Sequence, residues 1–462
     1  MFERYHIPTK TVECRNKPVP KFVIVRADNC INCGKCEKAC IYGAHERSEE
    51  DPRKMADPQN QLCKNCFRCV SDCPQRALTM SPGPDYKLLG KGIWTPLRIS
   101  TIWGESETGK IPVLGAGYRG MFAGPGYDGM WTDMSEIVRP TRDGIHGREF
   151  ISTSVDLGRA PAFLDFDRDG RLASPDGNAV IELPIPLVMD ISRMRAMRGK
   201  MFKGYMQAAS HLNTLFMASP ALVPHDITDE ELTHLVPVYP EGTDVRTLEL
   251  PRGVRIAELQ LTPRWRDDVH DFRERFPGIV LALRVNAGSK VETLLPDLVD
   301  AKVDVAHLVF NDQGSEDAGD KRHSKEALRA AHRSLVSRRI RDQITIMTGG
   351  GIAAAEHVPK SIICGADVVA LDKSLLIALE CRDCSYCSKE SCQINLQDAS
   401  ADWVEGRVLN MVGAWRDQLL EVLGAMGIRE VRRLRGELGR AIFYEDVERE
   451  AFAELKEGEQ DG

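Results

Sequence analysis

Residues 344–392, ITIMTGGGIAAAEHVPKSIICGADVVALDKSLLIALECRDCSYCSKESC, hold an apolar strand-like run ending in Gly349-Gly350-Gly351, a helical stretch, and a second apolar run, ADVVALD. A further helical stretch then leads into four cysteines. A strand with a glycine turn, followed by a strand with a helix start, is how a (β/α)8 barrel ends when it grips a phosphate beyond its last two strands. If the last helix runs from Ser374 to Cys381, its rise is roughly 10 Å, which predicts a phosphate site and a metal cluster as near neighbours.

Upstream of this stretch lie six more apolar runs: PLVMDIS, NTLFMAS, HLVPVYP, VRIAELQLT, IVLALRVN and VDVAHLVFN. The later ones alternate with helical patterns, RWRDDVHDFRERF, VETLLPDLVDAK and SKEALRAAHRSLVSRRI. Strand alternating with helix signals a parallel α/β fold, and a count of eight favours a closed TIM-type barrel over residues 184–380. Its strand ends would present Asp190, Ser219, Arg284, Asn286, Asn311, Asp312, Gln313 and Lys373 at the catalytic face, although a polar residue there can equally well cap a loop.

The first 85 residues carry two runs of the form C-x2-C-x2-C-x3-C: Cys30, Cys33, Cys36, Cys40 and Cys63, Cys66, Cys69, Cys73. Three thiolates on one loop and a fourth from the partner run hold a cubane, because in two-cluster ferredoxins the fourth cysteine serves the other iron site. This assigns Cys30, Cys33, Cys36 and Cys73 to one [4Fe-4S] cluster and Cys63, Cys66, Cys69 and Cys40 to a second. Zinc sites use separated C-x2-C pairs rather than triples. A third group, Cys381, Cys384, Cys387 and Cys392, suits a [4Fe-4S] or a [3Fe-4S] cluster over residues 381–400. Cys14 lies outside any such spacing, and Cys364 reads as buried packing.

Residues 86–183 are rich in Gly and Pro and read as an irregular, β-rich connection. Gly115-x-Gly117-x-x-Gly120 has the form of a dinucleotide fingerprint, but Pro125 and further glycines follow where that motif needs a helix. The Arg-, Asp- and His-dense segment 130–159 reads either as a solvated loop or as a belt docking the first domain onto the barrel. After residue 401, apolar residues recur at three and four, which predicts an amphipathic helix on the chain's own barrel, before an acidic tail.

Lys and Arg total 61 against 68 Asp and Glu, a net charge of -7, which leaves no basic footprint for nucleic acid or an anionic membrane. The N-terminal residues lack an apolar signal core, and no apolar run approaches the roughly 18 residues of a membrane span. Fourteen cysteines, twelve of them in three tight clusters, point to metal in a reducing, cytoplasmic compartment.

The order of two-cluster ferredoxin, PTRDGIHGREFIST, barrel and cysteine-rich coda resembles the large, FMN-barrel subunit of archaeal-type glutamate synthases. VNAGSKVETLLPDLVDAKVDVAHLVFNDQGSE, HRSLVSRRIRDQITIMTGGG, CGADVVALDKSLLIALEC and VLGAMGIREVRRLRGELGRAIF carry the likeness. It implies an FMN that reduces 2-iminoglutarate, fed through iron–sulfur clusters by a separate flavoprotein subunit that oxidises NAD(P)H. The residues that would hold the FMN are Gly349, Gly350, Gly351, Lys373 and Arg284.

Several positions depart from the family pattern. No Gly-Glu-Gly-Gly loop occurs, Asn311-Asp312-Gln313-Gly314-Ser315 replaces Asp-Gly-Gly-Thr-Gly, and Arg284 stands for a lysine. Asp372-Lys373 stands for Gly-Thr, which sets a carboxylate and an ammonium at a phosphate position and leaves FMN retention open. These departures favour an electron-relay subunit of a multisubunit flavin-linked complex, with a glutamate-synthase-like flavoprotein and a hydrogenase or ferredoxin as candidate partners. The alternative is an NAD(P)H- or ferredoxin-dependent glutamate synthase large subunit.

Overall fold

Eight parallel strands close on themselves in the computed structural model, and each lies within one of the eight apolar runs. They are β1 (Leu187–Asp190), β2 (Phe216–Ala218), β3 (Leu235–Tyr239), β4 (Ile256–Gln260), β5 (Val280–Asn286), β6 (Val305–Val309), β7 (Thr345–Gly349) and β8 (Val368–Leu371). Neighbours in sequence are neighbours in space, and Val369 opposite Leu187 joins the last strand to the first. The runs are apolar throughout because helices cover one face and the packed lumen the other; β8, Val-Val-Ala-Leu, is buried at every position. The structure describes residues 5–16, 18–112, 124–132, 150–159, 168–170, 180–194, 199–224, 227–286, 288, 290–317, 321–384 and 394–457.

The helices that follow the strands explain why the first half of the barrel is weakly marked in the sequence. After β1 comes α1 (Lys200–His211), but after β2 there is only the single turn of α2 (Asp229–Leu232), closed by a Thr228–Glu231 capping box. Between β3 and β4 no helix forms; Pro240, Gly242, Pro251 and Gly253 punctuate a loop instead. The second half is regular, with α3 (Trp265–Arg275), α4 (Val291–Asp300), α5 (Ser324–Ser337), α6 (His357–Ile363) and α7 (Lys373–Ala378).

The expectation for α7 needs correction. It ends at Ala378 rather than at Cys381, and Glu380 takes a left-handed φ of 68°, so the chain turns before the first cysteine. The connecting segment also differs: residues Pro96–Thr108, expected to be irregular, form a helix with proline in its first turn and Ile99, Ile102, Glu105 and Ser106 buried. The glycine set at 115, 117 and 120, most of segment 130–159, and Cys387 and Cys392 lie outside the described residues.

The C-terminal helix, α8 (Ala401–Ala425), is buried on nearly every side rather than on one. One side packs on α1, where Gly204 brings the two helices so close that a Cβ would lie 2.6 Å from Val404 Cβ and from the Ala401 carbonyl oxygen. On other sides Asn410 exchanges hydrogen bonds with the Lys10 backbone, and Trp415 Nε1 donates to Glu105 Oε2 at 2.9 Å. The last helix, α9 (Tyr444–Glu457), completes the chain's described part. No described helix is long and apolar enough to cross a membrane.

The chain divides into two compact units. One holds the barrel, residues 1–12, 101–379 and 395–462. The other holds residues 13–100 together with 380–394, so Cys381 and Cys384 belong to the same unit as the first two cysteine runs.

Because Gly204 sits against a backbone carbonyl, Gly204→Leu should cost about 1–3 kcal/mol of overpacking. Chemical denaturation would show it as a lower midpoint, and an unchanged midpoint would mean that the α1–α8 contact is looser than described.

Candidate functional site

In the cysteine-bearing unit, strands Phe22–Arg26 and Leu78–Pro82 pair antiparallel and place one cysteine loop on each side. The two runs repeat at a spacing of 33 residues, Cys30 to Cys63 and Cys40 to Cys73, and the repeat extends to backbone geometry. Asn32 and Asn65 have φ of 55° and 61°, and Gly34 and Phe67 have φ of 70° and 59°. Left-handed residues between the cysteines turn the chain tightly enough for three sulfurs to face one point. Phe67 bears this conformation without being glycine, a strain of the kind that clusters at functional loops.

Two cavities result. Cys30, Cys33, Cys36 and Cys73 line one, beside Arg26, Met55 and Leu78. Cys40, Cys63, Cys66 and Cys69 line the other, beside Ile24, His45 and Met80. Each cavity thus takes three cysteines from one run and the fourth from the other. The eight cysteines of these two runs are free thiols. The Ala77 and Ala44 N–H groups donate to Cys73 Sγ at 3.2 Å and Cys40 Sγ at 3.4 Å, equivalent bonds in the two halves.

The electrostatics of the second cavity fit a polycationic occupant. Burial and then the neighbouring Cys63, Cys66 and Cys40 push the Cys69 thiol up to about 11. Four sulfurs this close repel one another as thiolates, and only a metal core would hold them ionised together. Burial likewise raises Cys36, against the pull of Arg26.

The turn that carries Cys381 and Cys384 is anchored in the same unit. The buried Glu380 carboxylate accepts from Arg15 N at 2.9 Å, Asn16 N at 3.0 Å and Asn16 Nδ2 at 2.7 Å. Gly90 N donates to the Arg382 carbonyl at 3.1 Å. Cys381 and Cys384 are half-buried, as is Cys14. Cys364, in the barrel unit, is fully buried against Met130.

In the barrel, the lumen holds a charged cluster. Arg284 on β5 donates through Nε to Glu258 Oε1 on β4 at 2.5 Å and through Nη2 to Asp190 Oδ2 on β1 at 2.7 Å. His307 on β6 donates through Nδ1 to Glu258 Oε2 at 2.7 Å, while its Nε2 is buried against Gly349 without a hydrogen-bond partner. Burial opposes the ionisation of Asp190 and of Glu258, but Arg284 and His307 outweigh it and hold both carboxyls below their ordinary range. Burial would lower Arg284, but the two carboxylates raise it. The sequence drew attention to Asp190 and Arg284 as strand ends. Glu258 and His307 sit in the middle of apolar runs, where a single charged residue in a buried strand was the one available signal.

The residues expected to hold a phosphate are placed as follows. Gly349 ends β7, and Gly350 and Gly351 have φ of 93° and 73°. The space left by their missing side chains is taken by the loop after β6: a Cβ on Gly350 would lie 2.2 Å from the Phe310 carbonyl oxygen, and one on Gly351 2.3 Å from Gly314 Cα. Asp372 caps α7 with its own carboxylate, Oδ1 accepting from Lys373 N at 2.6 Å, while Oδ2 lies 3.6 Å from Arg193 Nη1. Burial, reinforced by Asp190 and Asp312, pushes Asp372 up to about 6 against the pull of Lys373 N and Arg193. Lys373 Nζ is paired with Asp312 at 3.3 Å, and Arg284 is committed to the lumen. As placed, these groups do not fit the phosphate of an FMN. Ser219, Asn286, Asn311 and Gln313 lie at or just beyond strand ends, and Asn311 Oδ1 holds its own loop by accepting from Gln313 N and Ser315 N.

A family model described as "Conserved region in glutamate synthase" matches residues 323–429. Archaeal glutamate synthase [NADPH] of Archaeoglobus fulgidus is 25% identical over 96% of this chain and 98% of its own length. The chain is similar to archaeal-type glutamate synthases over nearly its whole length. Archaeal-type glutamate synthase [NADPH] of Dehalococcoides mccartyi is 23% identical over 90% of this chain and 94% of its own. A ferredoxin of Pyrobaculum islandicum is 37% identical over 12% of the chain and 50% of its own length. The charged lumen and the Asp372 cap are this chain's observed features at the barrel mouth.

Two consequences can be measured. Arg284→Met leaves Asp190 without its guanidinium and Glu258 with His307 alone, and should cost about 3–5 kcal/mol in chemical denaturation. Since Asp190 and Glu258 have lowered folded-state pKa values, their contribution is present above the ordinary carboxylate range and is lost as pH falls below about 4; an Arg284→Met stability equal to wild type at neutral pH would refute the pairing.

Asp372 has the opposite sign. Its folded pKa of about 6 exceeds the ordinary 3.8, so its ionised form costs stability above that window and nothing below it. Asp372→Asn keeps an oxygen for Lys373 N and should gain on the order of 1–3 kcal/mol at pH 8. Melting curves should show the gain shrinking toward pH 4; a pH-independent difference would contradict the assignment.

Proposed function

We propose that this chain is the iron–sulfur large subunit of a glutamate-synthase-type oxidoreductase. Cys30, Cys33, Cys36 and Cys73 would ligate one [4Fe-4S] cluster, and Cys63, Cys66, Cys69 and Cys40 a second. Cys381, Cys384, Cys387 and Cys392 would ligate a third, [4Fe-4S] or [3Fe-4S]. The observation that carries this reading is the pair of four-sulfur cavities, each built from both cysteine runs. Such clusters pass single electrons at potentials tuned by burial and by N–H···S bonds like those from Ala44 and Ala77. A separate flavoprotein subunit that oxidises NAD(P)H would be the natural electron source, with a hydrogenase or ferredoxin as another candidate.

Two versions of this reading differ in the barrel. Relatives matched over nearly their whole length bear the name glutamate synthase [NADPH], and they support glutamate formation from 2-iminoglutarate at an FMN more directly than they support a bare relay. The relay version, with the barrel as scaffold, draws on one specific observation: the Asp372 carboxylate sits at the Lys373 backbone N–H, where the FMN phosphate would need to be.

One anaerobic preparation tests both levels. Three cubanes would give about 12 iron atoms per chain. Zinc in place of iron, or a colourless protein after reconstitution, would remove the whole proposal. Reduced protein supplied with 2-oxoglutarate and glutamine or ammonia then separates the versions. Steady glutamate formation selects the synthase; cluster bleaching by NADPH through the flavoprotein partner, without glutamate, selects the relay.

A further inference from the structure

We propose that the phosphate-binding end of this barrel is closed by the chain's own acidic side chains, Asp372 and Asp312, and that the barrel therefore carries no FMN. This goes beyond the iron–sulfur reading and does not depend on it.

A phosphate held beyond β7 and β8 needs three things: backbone N–H groups aimed at it, a cation, and room beside a glycine turn. Each is already used internally. The N–H at the start of α7, Lys373 N, donates to Asp372 Oδ1 at 2.6 Å. The ammonium of Lys373 is 3.3 Å from Asp312 Oδ2. The room at Gly350 and Gly351 is taken by the backbone of residues 310–314, with Gly314 Cα and N each 2.3 Å from where a Gly351 Cβ would be. That loop is itself closed by Gly314 N donating to the Asn311 carbonyl at 2.9 Å and Asn311 N donating to the Ser315 carbonyl at 3.0 Å. Arg193 ties the mouth together from the first strand, donating to the Phe310 carbonyl at 3.0 Å and lying 3.6 Å from Asp372 Oδ2.

Charge argues the same way. A phosphate dianion would enter beside the buried Asp372 carboxylate, with Asp312 next to it and Asp190 deeper in the lumen. Among the described residues, the lumen guanidinium of Arg284 is spent on Asp190 and Glu258. Displacing Asp372 would leave a buried carboxylate without its N–H, so ligand entry must break a satisfied cap before it forms a bond.

The test uses the full chain, purified and reconstituted anaerobically, with iron assayed separately so that loss of clusters and absence of flavin are read independently. Acid extraction of wild type should release far less than one FMN per chain, and added FMN should keep its free fluorescence and leave the melting midpoint unmoved. The double variant Asp372→Gly with Asp312→Asn removes the two carboxylates that face Lys373 N and Nζ. Millimolar inorganic phosphate or FMN should then raise its midpoint by about 2–4 °C. Stoichiometric FMN in wild type, surviving gel filtration, would overturn the proposal whether or not the variant folds. A folded double variant as indifferent to both ligands as wild type would overturn the assignment of the closure to these two carboxylates.

Discussion

Arg284 reaches across the barrel lumen to carboxylates from two other strands, Asp190 on β1 and Glu258 on β4, and the arrangement of the barrel mouth follows from that tie. A guanidinium has a planar fork of donors, so it can satisfy two carboxylates at once where a lysine would serve one point. Glu258 is shared with His307, which extends the cluster to β6. Four of the eight strands are thereby cross-linked through charge in a space that would otherwise be filled by apolar side chains. Buried charges at this density persist only when each is paired, and removal of one leaves the others exposed to the full cost of desolvation.

The two units solve opposite electrostatic problems. In the barrel, charges of both signs neutralise one another within the protein, and the mouth closes on itself through Asp372, Arg193 and the loop after β6. In the cysteine-bearing unit, four thiols converge on each of two cavities, and burial holds Cys36 and Cys69 toward the neutral form, with Arg26 beside the first cavity pulling the other way. As placed, the lumen charges of the barrel are paired within the protein, whereas the sulfurs of the other unit face two cavities. Placement of Cys381 and Cys384 in the second unit gathers the described cysteines of all three groups on the same side of this division.

The likeness to archaeal-type glutamate synthases runs over nearly the full length at about a quarter of identical residues, which is ample for apolar strands that need only the right volume and pattern. The mouth is where identity is chemically consequential. Asp372 puts a carboxylate at the start of α7, where an approaching anion would be repelled.

Much of this protein was legible in the amino-acid order. The eight strands were marked by apolar runs because both faces of a barrel strand are buried, and the cysteine groups were marked because cluster ligation requires fixed short spacings. The helix at Pro96–Thr108 was not, since its stretch mixes β-branched residues with Gly104 and gains its stability from what it packs against. Nor was the end of α7, where the left-handed Glu380 is held by three hydrogen bonds to Arg15 and Asn16, residues more than 360 positions away. The sequence determined which residues could carry charge and metal. Which charges meet was decided only by closing the barrel, because Asp190, Glu258, Arg284 and His307 share no local pattern and come together only when the first strand lies beside the eighth.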